Sequence, residues 1–131
     1  FIYRISSLSR AEHVQADAFP ELAGHESSVQ AHRLYGALFF GAVKLVEAIE
    51  ENLPTKALVL DLKNLIYVDS SGADALLALA RSCKKKQVRL IVCGVGHQPL
   101  DMAQRSGLLH ALPDTDLVPD LSHGLALALG R

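Results

Sequence analysis

The spacing of apolar residues changes several times along this chain, and each change marks an element. Ala42, Leu45, Val46, Ile49 and Leu53 share one stripe at helical spacing, with Lys44, Glu47 and Glu51 on the other. The helix this predicts opens at Gly41, runs to about Asn52 and is ended by Pro54. "ALVLDL" (57–62) is instead a short, nearly continuous apolar run, the pattern of a central parallel strand covered on both faces. "VRLIVCGV" (88–95) repeats it. Between them, "NLIYVD" (64–69) leads into a helix over about 71–86, whose inward stripe is Ala73, Leu76, Leu77, Ala80 and Cys83. "VQAHRLYG" (29–36) reads as a strand polar enough to lie near a sheet edge, stopped by Gly36. Pro99 stands where a first-turn proline is tolerated and begins a helix that Gly107 closes. A last helix places Leu121, Leu125 and Ala128 on one face.

Strands alternating with helices in this way predict an α/β fold. Its sheet is mixed but mostly parallel, with right-handed crossovers and flanking helices. The first 28 residues differ. Ile2, Ile5 and Leu8 have a helix-like spacing, and Pro20, Gly24 and polar residues follow. Residues 1–28 therefore read as a helical or frayed segment with a connector, and 29–131 as the folded domain.

Composition narrows the function. The 131 residues suit one domain, and 13 basic against 14 acidic side chains leave no excess to hold a nucleic-acid backbone. The "KKK" at 84–86 fits the C-terminal end of a helix, where cations favour the macrodipole. Cys83 and Cys93, ten residues apart, read as reduced core thiols rather than a redox or metal pair. No apolar run is long enough for a membrane helix, and no signal-peptide pattern is present. A start at Phe1 rather than methionine is expected of a piece of a longer protein.

The candidate chemistry centres on "DSSG" at 69–72. A serine nucleophile would want a G-x-S-x-G elbow, but Val68 and Asp69 precede Ser70, which argues against a hydrolase. Asp69 or Ser70 instead suits a helix N-cap. A helix N-terminus also favours a phosphate, so Ser70 is a candidate phospho-acceptor, although the Asp69 carboxylate would oppose the new charge. "CGVGHQP" (93–99) puts another helix start at a strand's carboxyl end without the third glycine of a dinucleotide fingerprint. Ser70, Ser71, Gly72 and Gly96 are thus candidates for a weak anion or nucleotide site. The six histidines have no metal-ligand spacing, so neither a metal nor another cofactor is expected.

At this point the chain resembles the STAS domain, found in sulfate transporters and anti-sigma-factor antagonists. The resemblance rests on "HRLYGALFFGAVKLVEAIEE" (32–51), "ALVLDLKNLIYVDSSGADALLAL" (57–79) and "AQRSGLLHAL" (103–112), three blocks in the family's order. "LYGALFFGA" looks like the branch attached to SulP-type anion transporters, and Arg4 and Arg10 in "FIYRISSLSR" fit the cytoplasmic exit of a membrane helix. The resemblance implies a non-enzymatic regulatory or interaction domain on the cytoplasmic face of a sulfate, bicarbonate or dicarboxylate carrier. Its partners would be the transmembrane part of that carrier, a cytoplasmic protein or a weakly held nucleotide, and a second copy in the intact transporter. D-S-S-G departs from the D-S-T-G common in transporters. The alternative it keeps in view is an anti-sigma-factor antagonist switched by phosphorylation of Ser70.

Overall fold

The computed structural model of the protein describes residues 9–39, 43–107 and 117–130. Six strands form one mixed sheet: β1 (Arg10–Val14), β2 (Val29–Leu38), β3 (Ala57–Asp61), β4 (Leu65–Val68), β5 (Arg89–Cys93) and β6 (Leu117–Val118). The order across it is β1-β2-β3-β5-β6, with β4 beside the far half of β2. Only the β1–β2 ladder is antiparallel. Four α-helices, α1 (Val43–Glu51), α2 (Ser70–Lys85), α3 (His97–Ser106) and α4 (Leu121–Ala128), and one short 3-10 turn (Pro20–Leu22) complete the elements of the described residues.

Why 57–60 of β3 and 90–93 of β5 are apolar without a break follows from the pleat, which sends alternate side chains to opposite faces, both of them covered. Leu58, Leu60, Leu90 and Val92 enter one core beneath α1 and α2, together with Val46, Ile49, Leu76 and Leu79. Ala57, Val59, Ile91 and Cys93 enter a second core, covered by Leu121, Leu125 and Ala128 of α4 and by Val14 and Leu22. Cys83 belongs to the first core and Cys93 to the second, so the sheet separates them. Burial pushes the Cys83 thiol up to about 11 and the Cys93 thiol up to about 12, which keeps both protonated and inert.

Several local expectations change. Residues 10–14 form an edge strand where a helical segment or connector was expected, and Leu22 in the stretch after it is a core residue. β2 does not stop at Gly36. That glycine takes a φ of 81°, the register shifts between Gly36 and Ala37, and the strand passes from its partner β3 to β4. "NLIYVD" accordingly contains a strand as well as a lead into α2. On α2, Leu79 is fully buried and Leu77 only partly. At about 100° per residue, Leu77 and Leu79 flank the stripe of Ala73, Leu76, Ala80 and Cys83 on opposite sides, and the buried Gly72 extends that stripe toward Leu79. The helix-like spacing of Ile2, Ile5 and Leu8, the opening at Gly41 and the stripe residue Ala42 lie outside the described residues.

One buried charge ties three strands together. Arg33 and Asp61 are register partners, and the Arg33 Nε donates to Asp61 Oδ2 at 3.3 Å. Asp61 Oδ1 accepts the backbone N–H of Lys63 at 3.1 Å, and Arg33 also meets Glu12 of β1 at 3.5 Å. Pairing and hydrogen bonding offset the cost of burying this carboxylate.

Candidate functional site

The D-S-S-G turn joins β4 to α2, and its conformation is fixed from both sides. Asp69 is extended (φ −93°, ψ −177°), and its backbone N–H donates to the carbonyl of Leu38 at 3.1 Å. Its side chain accepts the N–H of Gly72 at 2.8 Å, so Asp69 is the N-cap and Ser70 the first helical residue. Of the two capping readings the sequence left open, the structure takes Asp69. Gly72 is buried, and a Cβ there would collide with the Leu38 carbonyl oxygen. The glycine therefore serves close packing of α2 on β2.

Relieved of capping, Ser70 is exposed, and two exposed apolar residues of β4 lie just before it: Ile66 (70% exposed) and Tyr67 (48%). Ser71 is half-buried and lines a groove of about 570 Å³ between α1 and α2, with Lys44, Glu47, Glu50 and Asp74 on its walls. The two helices are tied by the Ser82 hydroxyl, which donates to Glu50 at 2.5 Å.

Gly96 lies at the start of α3, exposed and with open space where a Cβ would stand. The link between this helix start and the Ser70 turn is Gln98, a residue that sequence reasoning passed over. Its Nε2 donates to the Val68 carbonyl at 2.8 Å, and its Oε1 accepts the Val68 N–H at 2.7 Å. An amide in place of a neighbouring strand has no local sequence signal. Both helix starts thus adjoin β4, and the amide of Gly72 is already taken by the protein's own carboxylate.

A second groove, of about 460 Å³, lies between α1 and strands β1 and β2. His13 and His32 face each other across the β1–β2 ladder, with ring centroids 4.6 Å apart and planes 19° from parallel. The Nε2 of His32 is buried and has no hydrogen-bond partner among the described residues. Burial, helped by the proximity of His13, lowers the His32 pKa to about 4. Below pH 6.5 the unfolded chain binds a proton here that the folded one refuses until about pH 4. This stabilising contribution is therefore intact above pH 6.5 and is lost as the pH falls through that window. The expected loss is about 1–2 kcal/mol, reduced because water still reaches part of the ring. Urea midpoints at pH 7 and pH 4.5 for wild type and His32→Phe check it, since an equal acid loss in both would assign the effect elsewhere.

Among the described residues, no group of three or more His, Cys, Asp or Glu side chains is placed to hold a metal ion. His123 instead pairs with the N-cap of α4, its Nδ1 lying 2.6 Å from Asp120. No described helix is long and apolar enough to cross a membrane.

The sequence matches the family description "STAS domain" over residues 11–121, most of its length. The chain belongs to the STAS domain family. Like it in sequence is "Putative sulfate transporter YvdB" of Bacillus subtilis, 27% identical over 119 residues. That match takes in 86% of this chain but 22% of the relative, so the STAS domain here spans about a fifth of that protein. Two solved structures share the fold. One is a SulP transporter STAS domain from Vibrio cholerae, with a TM-score of 0.68 and 19% identity, covering 88% of this chain and 96% of that one. The other is the anti-sigma factor antagonist SpoIIAA in its unphosphorylated form, with a TM-score of 0.65 and 20% identity, covering 94% and 97%. The fold agrees with the family expected from "HRLYGALFFGAVKLVEAIEE" and D-S-S-G.

Proposed function

We propose that this STAS domain is the non-enzymatic regulatory domain of a SulP-type anion transporter carrying sulfate, bicarbonate or a dicarboxylate. It would work at the cytoplasmic face of the membrane. The observation that carries the reading is the division of labour in D-S-S-G: Asp69 caps the helix, leaving Ser70 exposed a few residues after the exposed Ile66 and Tyr67. A contact surface of that kind suits docking against the transmembrane part of the same protein, a cytoplasmic partner or a second copy. The sequence likeness to YvdB supports the transporter setting.

The second reading, a partner-binding protein switched by phosphorylation, is favoured by the same exposure. A phosphoryl group on Ser70 would stand at the positive end of α2 without breaking the cap, because Ser70 does not make it. A nucleotide is a poorer partner here, since its phosphate would compete with Asp69 for the Gly72 amide.

Asp69→Ala should cost about 1 kcal/mol of stability by urea unfolding, and Ser70→Ala and Ser70→Asp less than about 0.5. The functional comparison is anion uptake by the intact transporter carrying Ser70→Ala, Ser70→Asp or Ile66→Glu, at equal expression. Uptake is expected to change for Ile66→Glu, and for Ser70→Asp if the surface reads charge. Wild-type uptake in all three variants would falsify the reading of this surface.

A further inference from the structure

We propose that the groove between α1 and strands β1 and β2 binds a small organic carboxylate. This goes beyond the contact surface at Ser70 and rests on different residues. Ala11, Leu45, Ala48 and Ile49 give the groove an apolar lining, and its remaining lining residues are His13, Gln30, His32, Lys44 and Asn52. A mostly apolar hollow with a few polar groups is the usual form of a small-molecule site. No carboxylate lines it, so the charged side chain at its rim is the exposed Lys44, which also borders the α1–α2 groove. That sign selects an anion.

The partnerless Nε2 of His32 points to the same ligand. A buried imidazole nitrogen without a hydrogen bond is an unmet requirement, which a carboxylate oxygen satisfies in the tautomer that places the ring proton on Nε2. His13, stacked on that ring, lines the same groove. Both rings belong to strands rather than loops, so the groove floor is preformed. Sulfate or phosphate fits poorly, because a doubly charged anion would surrender its hydration for one ammonium and an apolar floor. A divalent cation fits poorly as well, with Lys44 nearby and no acidic ligand. What remains is a single carboxylate on a short apolar body.

The test is to titrate the isotope-labelled 131-residue chain with sodium butyrate at constant ionic strength and follow its amide resonances. Saturable shifts are expected in β1, β2 and α1, with a Kd of roughly a millimolar for so small a ligand. The His32 ring should titrate at higher pH with butyrate present, because a carboxylate beside an imidazole favours its charged form. Lys44→Met, at an exposed position, should weaken binding about five-fold or more without unfolding the chain, and His32→Phe should abolish the ring effect. Shifts that grow linearly without saturation, or unchanged affinity in Lys44→Met, would overturn the proposal. Equal competition by sodium sulfate would replace it with a general anion site. Shifts of the same amides by zinc chloride and not by butyrate would replace it with a metal site.

Discussion

Leu79→Asp is expected to abolish the cooperative unfolding transition of this domain at 25 °C, whereas Leu77→Asp should leave it folded. Leu79 is 0% exposed and sits where α2 meets the sheet. The substitution removes a buried leucine, worth about 2–5 kcal/mol, and adds a carboxylate without a partner, worth several more. Together these come to about 5–10 kcal/mol, against the roughly 5–15 kcal/mol that holds a typical domain together. Leu77, two residues earlier and on the other flank of the buried stripe, keeps partial access to water, so its aspartate can turn outward at a cost of about 1–2 kcal/mol. Circular dichroism with urea separates the two cases. A sharp transition with a near-wild-type midpoint for Leu79→Asp would show that α2 packs through another face.

Gly72→Ala is the second large effect, out of proportion to one methyl group. Alanine would ordinarily help a helix by about 1 kcal/mol relative to glycine. Here its Cβ lands on the Leu38 carbonyl oxygen, which is backbone and is held by the Asp69 N–H at 3.1 Å. Helix or strand must shift, and such overpacking costs about 1–3 kcal/mol or more, enough to reverse the sign. Gly96→Ala is the internal control, because nothing stands within 4 Å of its added carbon. Urea midpoints should fall for Gly72→Ala and stay near wild type for Gly96→Ala. Equal midpoints would mean that α2 does not lie as close to β2 as the structure places it.

How much of this was legible along the chain depends on where each residue's partners lie. β3 and β5 were readable because both of their faces are covered, which makes the run itself apolar. β1 was not, since "RAEHV" carries charges whose partners are distant. Arg10 lies over the Tyr35 ring at 4.0 Å, and Glu12 accepts the Tyr35 hydroxyl at 3.1 Å. Nothing within five residues announces such contacts. The stripe of α2 was legible except at its margin, where leucines at 77 and 79 flank it equally and only the packing of Gly72 on Leu38 decides between them. At the candidate site, a helix start at D-S-S-G followed from local capping chemistry alone. That Gly72 is a packing residue did not, because its reason is a carbonyl 34 positions earlier. The stacked His13 and His32 were invisible for the same cause, meeting only once β1 is recognised as a strand.

The side-chain amide of Gln98 has a consequence for how this protein keeps company in a crowded solution. β4 pairs with β2 along one side, and its other side would offer unpaired backbone groups next to Ile66 and Tyr67. An open, apolar strand edge is a template onto which a foreign strand can add, and this is how soluble sheets begin to aggregate. Gln98 occupies both backbone groups of Val68 and so ends that template after a few residues. Its amide does the work of a neighbouring strand while extending no further ladder, so the apolar surface beside Ser70 can meet a partner through side chains without recruiting more sheet.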